Sequence, residues 1–414
     1  MVHGSPLIAD TDTNGNAMAG RVVVRVLVAL VLCLGLVAGC APVERAPVVE
    51  PAGRSAPRSL GLLDLDLAGA VVLPHGAAYA TLDGDRVGGV SGLAFDPSTG
   101  HWMAVVDDRE RPRLVSFSLA GEGASFAAEP RGAVALDLGG QPGAPPMLDG
   151  EGLVRWPGGG WLVASEGDGG ASPRVPPGLY RFDATGRYVG ALPVPEHYLP
   201  EPAGPQRRGV RNNAAFESLT LSPDGDVLFT AAEGPLVQDA ERPGFEQGSH
   251  TRLLEYVPGE GGFVPAREFV YPLDALPFDG LDFVPDQGEN GLVELLALGD
   301  GRLLALERAF VREAARGGRS ANRIRLYVVT FDGATDVARR PSLRGETYRP
   351  VTKRLVLDLG PLAPRLPPEL ARLDNFEALA IGPPSADGRA TLVVASDDNF
   401  SPRQRTAFVL LADR

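Results

Sequence analysis

The feature that most restricts the fold of this chain is a hairpin pattern that recurs five times. VSGLAFDPSTGHWMAVVDD runs from Val90 to Asp108, GEGLVRWPGGGWLVASEGD from Gly150 to Asp168, and FESLTLSPDGDVLFTAAEG from Phe216 to Gly234. VELLALGDGRLLALER follows from Val293 to Arg308, and FEALAIGPPSADGRATLVVASDD from Phe376 to Asp398. Each begins with a short apolar strand, reverses through PSTG, PGGG, PDGD, GDG or SADG, and ends in a second apolar strand with an acid near its end. Gly and Asp are the residues that let antiparallel strands turn back tightly. A further apolar run often comes next, such as RLVSFSL or NRIRLYVVTF.

One such unit is a small antiparallel sheet that cannot bury its own faces, so the units must pack on one another around an axis. The pattern predicts an all-β fold, a β-propeller. Repeat starts fall at 90, 150, 216, 293 and 376, so successive starts are 60 to 83 residues apart, longer than a minimal blade requires. Either the Pro- and Gly-rich stretches 139–147, 171–178 and 200–215 form long loops, or a degenerate blade lies within 239–290. The expectation is five to seven blades, with six preferred. The C-terminal TAFVLLA is expected to pair with strands near Leu60 to Val72 and close the ring, removing exposed sheet edges.

The N-terminus carries a different signal. Arg21 and Arg25 precede a charge-free run from Val26 to Val37. The run is too short to span a bilayer and suits the apolar part of a signal peptide. It ends in Val37-Ala38-Gly39-Cys40, a lipobox pattern in which small residues give a peptidase access and the Cys40 thiol receives a diacylglycerol. The chain has 2 cysteines; Cys33 lies in the part that would be removed, so the mature domain would hold neither a disulfide nor a free thiol. The predicted organisation is a signal peptide over 1–39, with the true start at Met18 because Asp10 and Asp12 do not suit a basic leader. A lipidated Pro/Ala-rich tether follows over 40–59, then the propeller over 60–414. The protein is expected to be exported, held in the cell envelope by its lipid (at the outer membrane if the host is Gram-negative), and monomeric. A formal net charge of −13 argues against nucleic acid as partner and suits multivalent cations.

The repeats place acids at corresponding points. Glu151, Glu217, Glu294 and Glu377 stand at the start of the first strand, where the first repeat has Ser91. Asp107 or Asp108, Glu166, Glu233, Glu307, and Asp397 or Asp398 stand at the end of the second. Equivalent positions of a propeller form a ring, so the sequence predicts carboxylates converging on one mouth of the axis. Such carboxylates repel one another unless cations neutralise them. Hard oxygen donors in irregular number suit Ca²⁺ better than zinc or copper. The 5 histidines show no metal-ligand spacing. Arg211, Arg308 and Arg405 lie beside the acids, and guanidinium forks match phosphate oxygens. Strand capping and salt bridging are the alternative roles for the same residues. There is no GxSxG elbow: Gly89-Val90-Ser91-Gly92 continues with Leu93.

These segments resemble those of the phytase-like family, described as esterase-like activity of phytase. The resemblance spans about residues 60–412. It rests on Val87–Leu93, Asp149–Leu153, Arg211-Asn212-Asn213 with Phe216–Leu219, and Leu306-Glu307-Arg308, and further on Asp374–Glu377, Ser396–Ser401 and Gln404-Arg405-Thr406. It implies a β-propeller-like fold with recurrent acids and a phosphoesterase or esterase activity. The chain departs from the pattern at Asn212-Asn213-Ala214-Ala215, where Gly is expected before Phe216, and at Ser91, where other repeats have Glu. Residues and resemblance together predict a calcium-dependent phosphoester hydrolase acting on a phosphorylated small molecule or a phosphodiester. Glu217 and Glu377 are the candidate bases, and Glu151, Glu166, Glu233, Glu307, Asp397 and Asp398 the candidate metal ligands. Arg211, Arg308 and Arg405 are the candidate substrate clamps. The rival readings are a non-catalytic binding propeller stapled by metal and a carboxylesterase.

Overall fold

The structure, a computed structural model, describes residues 64–277, 279–314 and 318–414. The leader, Cys40 and the tether lie outside the described residues. Strand β1 (Leu65–Val72) opens the domain. Blade 1 follows with β2 (Val90–Asp96), β3 (His101–Val106), β4 (Arg113–Ala120) and β5 (Ala127–Ala135). Blade 2 holds β6 (Gly150–Arg155), β7 (Trp161–Ser165), β8 (Gly178–Phe182) and β9 (Tyr188–Leu192). Blade 3 holds β10 (Phe216–Leu221), β11 (Leu228–Ala232), β12 (Ser249–Gly259) and β13 (Gly262–Leu273). Blade 4 holds β14 (Gln287–Ala297), β15 (Leu303–Arg312), β16 (Ser320–Thr330) and β17 (Thr352–Asp358). Blade 5 is completed by β18 (Asn375–Ile381), β19 (Thr391–Asp397) and β20 (Ala407–Asp413).

Each blade is a 4-stranded antiparallel sheet, and blade 5 takes β1 as its outer strand in the order β1-β20-β19-β18. The expected closure by the chain ends is present: Leu65 pairs with Asp413 and Val72 with Ala407. The described residues therefore form a five-bladed propeller, not the preferred six. The stretch 239–290 hides no blade. It supplies β12 and β13, long outer strands of blade 3 paired from Ser249–Leu273 to Gly259–Gly262, and the connections around them. Long outer strands and loops thus account for the wide repeat spacing.

The core is divided among the blade interfaces. One apolar cluster lies between each pair of neighbouring blades. Phe117, Val90 and Phe408, for example, meet between blades 1 and 5, and Leu306, Phe376 and Val394 between blades 4 and 5. Burying one such Phe or Leu contributes about 1.5–3 kcal/mol, so each interface is a wedge that holds two sheets at a fixed angle.

The first strands β2, β6, β10, β14 and β18 pack against one another at the axis. They approach so closely that an added Cβ at Gly92 would lie 2.2 Å from the Glu151 carbonyl oxygen. The position after the ring residue is accordingly small in four blades: Gly92, Gly152, Ser218 and Ala378.

Candidate functional site: an acidic ring with one resident guanidinium

Every first strand carries a β-bulge, near its start in β2, β6, β10 and β18 and past its middle in β14. The skipped residue is Ser91 in β2, Glu151 (with Gly152) in β6, Glu217 in β10, Val293 in β14 and Glu377 in β18. A bulge places an extra residue out of the ladder and re-aims its side chain. Four of the five bulged residues are therefore polar groups turned to the axis. The partner position across the hairpin follows from the register. Asp107 N–H bonds Gly89 O, Glu166 N–H bonds Asp149 O, and Glu233 N–H bonds Ala215 O. Arg308 pairs with Gly291, and Asp397 with Asn375. The second set of ring residues is thus Asp107, Glu166, Glu233, Arg308 and Asp397.

This register corrects two sequence assignments by one residue. In blade 4 the bulge falls on Val293, which packs into the apolar cluster between blades 4 and 5. Glu294 is buried instead beneath the ring, where its carboxyl accepts the N–H groups of Leu219 (3.0 Å) and Leu295 (2.9 Å). Burial pushes its pKa well above the ordinary carboxylate range, against the pull of those two N–H groups. Glu307, expected as a metal ligand, pairs with Leu292 and lies one residue short of the ring. It accepts Tyr271 Oη (2.7 Å) and Asn290 Nδ2 (3.1 Å) and pairs with Lys353, so blade 4 presents Arg308 to the axis.

Arg308 is held by three acids. Its Nη2 lies 3.2 Å from Glu233, its Nη1 3.4 Å from Glu289 and its Nε 3.3 Å from Glu377. Burial disfavours its charge, yet the surrounding carboxylates of Glu377, Glu233 and Glu289 hold its pKa above the ordinary value. Gly291, opposite in register, makes this possible: an added Cβ there would lie 2.2 Å from Glu233 Cγ.

Across the ring no guanidinium takes a ring position. Asp107, Asp149 and Glu151 each offer an oxygen, and these atoms lie within 4.8 Å of one another. Arg109 grips the outer side of Asp149 through Nε (2.7 Å) and Nη2 (2.5 Å). Burial, then Asp149, pushes Asp107 up to about 8. Burial, then Asp107 and Glu166, pushes Glu151 well above its usual range. Glu166 is raised to about 7 by burial, although it accepts Ala215 N–H (2.5 Å). Glu217 is raised well above the usual range by burial and by Glu166, with which it shares a hydrogen bond. Glu233 is raised to about 8, and Glu377 and Asp397 are raised too, each chiefly by burial. So many desolvated carboxyls in mutual repulsion are an arrangement that a multivalent cation relieves. The Asp107–Asp149–Glu151 set is all hard oxygen, which suits Ca²⁺. Ser91 occupies the fifth bulge with its hydroxyl buried and unbonded among the described residues, leaving one more oxygen donor for a ligand.

The structure brings together Glu151, Glu166, Glu217, Glu233, Arg308, Glu377 and Asp397 from the sequence-derived set. Asp398 serves the loop instead: it accepts Gly89 and Phe400 N–H at 3.0 Å and lies 3.4 Å from His75. Arg211 binds the carbonyls of Pro235 (3.2 Å) and Ala240 (2.7 Å), away from the ring. Arg405 bonds the carbonyls of Pro402 and Gln404 and lines, with Arg308, Arg372, Arg403 and Glu377, a cleft of about 670 Å³ over blades 4 and 5. Asn399, on the same cleft, and Phe400 both have positive φ, 45° and 50°. Sequence reasoning missed Asp149, Arg109 and Glu289. Asp149 stood in the Asp149-Gly150-Glu151 motif itself, one residue before the strand.

The fold and ring define a five-bladed propeller with a buried acidic centre. A family model for phytase-like proteins, described as esterase-like activity of phytase, matches residues 85–400, and the chain belongs to that family. A curated relative, an uncharacterized secreted protein of Arthroderma benhamiae, is 28% identical over 130 residues; the match covers 26% of this chain and 24% of that protein. Solved structures with similar form include an endo-arabinase from Bacteroides thetaiotaomicron at 10% identity and TM-score 0.40, covering 83% of this chain and 98% of that one. A gluconolactonase from Xanthomonas campestris matches at 11% identity and TM-score 0.31, covering 88% and 99%.

Proposed function

We propose that the protein is a calcium-dependent phosphoester hydrolase whose metal sits at Asp107, Asp149 and Glu151. The observation that carries this reading is the division of the ring: a carboxylate cluster on one side, and on the other a cleft lined by Arg308, Arg372, Arg403 and Arg405. Carboxylates for a hard cation and guanidinium forks for phosphate oxygens are the parts that ester hydrolysis at phosphorus requires, and here they face each other across one ring. A cation bound there would neutralise the cluster and supply Lewis acidity toward a phosphoryl oxygen. Arg372, Arg403 and Arg405, which make no ion pair among the described residues, orient the ester, and Arg308 holds Glu377 beside it. Glu377, on the cleft wall with a raised pKa, accepts the proton of the attacking water as the P–O bond forms and the ester P–O bond breaks. The leaving alkoxide takes a proton from solvent water, and Glu377 releases its own to solvent. Of the two bases expected from sequence, Glu377 is preferred, since Glu217 is engaged with Glu166.

The binding-propeller reading draws support from Arg308, which neutralises three acids without any added ion. The carboxylesterase reading has no such support: the Ser91 hydroxyl has no hydrogen-bond partner among the described residues to activate it. The same proposal places the protein outside the cytoplasm on a Cys40 lipid. It is supported by the lipobox and by a relative named as secreted. Fatty-acid labelling of wild type and Cys40→Ala tests it, and equal labelling of both contradicts it.

The activity is tested by nitrophenol release from model mono- and diesters with Ca²⁺ or chelator. Turnover that needs Ca²⁺ and disappears in Glu151→Gln and Glu377→Gln supports the reading. No turnover by calcium-loaded protein, or full rates in both variants, contradicts it.

A further inference from the structure

The cleft over the ring does not end at blade 4. Ser320, Ala321, Asn322, Arg372 and Leu373 also line a second trough of about 780 Å³. Arg372 stands at the junction and donates Nη2 to Ser320 O (2.7 Å). The two halves differ in character. The trough runs between the 279–283 loop and the 360–373 segment and is walled by Leu281, Phe283, Ala321, Pro361, Ala363 and Leu373. Its other cations are paired with carboxylates, whereas Arg372, Arg403 and Arg405 of the cleft make no ion pair among the described residues. Arg319 is bonded to Glu313 (3.1 Å) and the Asp282 carbonyl (2.9 Å) and lies over the Phe283 ring at 5.3 Å. Arg323 is bonded to Asp358 (3.2 Å) and the Asp279 carbonyl (2.6 Å). Asp279, Asp282 and Asp358 add negative charge to the same walls. A second phosphate there would meet acids and committed arginines, whereas a neutral apolar body would meet aliphatic and aromatic surface.

We infer that the substrate is a phosphoester of a neutral alcohol with an aromatic or bulky alkyl body, the phosphate over the ring and the body in the trough. This rests on the phosphoester reading and adds the substrate class. Specificity would then come from apolar burial beyond Arg372, with polyanions disfavoured. Desolvating an aromatic body of naphthyl size is expected to be worth on the order of tenfold or more in affinity.

The test uses calcium-loaded protein in excess Ca²⁺ and probes in which a C–P bond replaces the scissile ester P–O bond, methylphosphonic acid and naphthylmethylphosphonic acid, with tripolyphosphate as the polyanion, measured by calorimetry. The expected result is tenfold or tighter binding of naphthylmethylphosphonate over methylphosphonate, with tripolyphosphate weaker than naphthylmethylphosphonate. That ratio should fall toward one in Ala371→Trp, which fills the trough from an exposed lining position, and fall as well in Phe283→Ala. Equal affinities, no binding, a ratio unchanged in Ala371→Trp, or tighter binding of tripolyphosphate overturns the inference. Turnover of the matching nitrophenyl diesters is read separately. Discrimination without turnover retains the trough and discards hydrolysis; turnover without discrimination does the reverse.

Discussion

Blade 4 and blade 2 solve the same geometric problem in opposite ways. Both bring a bulged first strand to the axis and face it with the end of a second strand. Blade 2 offers Glu151 and Glu166, with Asp149 behind them; blade 4 offers Val293 and Arg308. The Arg308 sector therefore carries its own cation, tied to Glu233, Glu289 and Glu377. The blade 1–2 sector gathers carboxyls whose pKa values burial and mutual repulsion drive up. The contrast teaches that the ring is not a uniform acidic collar. It is a split site, self-neutralised on one side and dependent on protons or a metal on the other.

The largest effect should come from removing the resident cation. Arg308→Met strands three carboxylates, and breaking a buried ion pair from one side costs about 3–5 kcal/mol. Denaturant unfolding in chelator is expected to show a loss of that order. A change under 1 kcal/mol would mean that Arg308 does not hold the ring.

The next effect is the pH dependence of the metal-free protein. Asp107 and Glu166 have folded pKa values of about 8 and 7, against roughly 4 for unfolded carboxyls. The folded state thus binds more protons. Its stabilising contribution is full below about pH 4 and is lost as pH rises through 7 to 8. Melting temperature in chelator should fall between pH 5 and 8.5, and millimolar Ca²⁺ should restore it at the upper end. A flat profile, or a rise with pH, would count against the acidic sector.

A smaller effect separates ring from neighbour. Glu151→Gln should stabilise the metal-free protein at pH 8 while weakening Ca²⁺ stabilisation. Glu307→Gln sits in the Tyr271–Asn290–Lys353 cluster and should leave Ca²⁺ stabilisation unchanged. The smallest effect is expected for Glu294→Gln. Its carboxyl is already driven toward the neutral form, and an amide keeps an oxygen to accept Leu219 and Leu295 N–H, so unfolding free energy should move less than in the variants above.

Much of the architecture could be read from sequence because a hairpin writes its turn, its alternation and its ends locally. The five repeats correspond to the five inner hairpins, and TAFVLLA does pair with the first strand. Five blades fall within the expected five to seven, but six were preferred because outer strands such as β13 are long and of variable length, so spacing overstates the number of sheets. The ring was displaced by one residue in blade 4 for a related reason. β15 continues to Arg312, past the point where β7 and β11 stop, and no Gly marks the axis end. Leu306-Glu307-Arg308 therefore aligns by its acid when the fold aligns it by its arginine. Asp149 and Glu289 act across blades or from outside the repeated segment, and such contacts leave no periodic trace.

The central claim is that the blade 1–2 sector of the ring is a cation site. Calorimetric titration of chelator-treated protein with Ca²⁺ at pH 7.5, in buffers of different ionisation enthalpy, tests it most directly. The account predicts saturable binding with net proton release, weakened at least tenfold in Glu151→Gln and unaltered in Glu307→Gln. Absence of binding in the wild type, binding without proton release, or loss of affinity in Glu307→Gln with Glu151→Gln unaffected would contradict it.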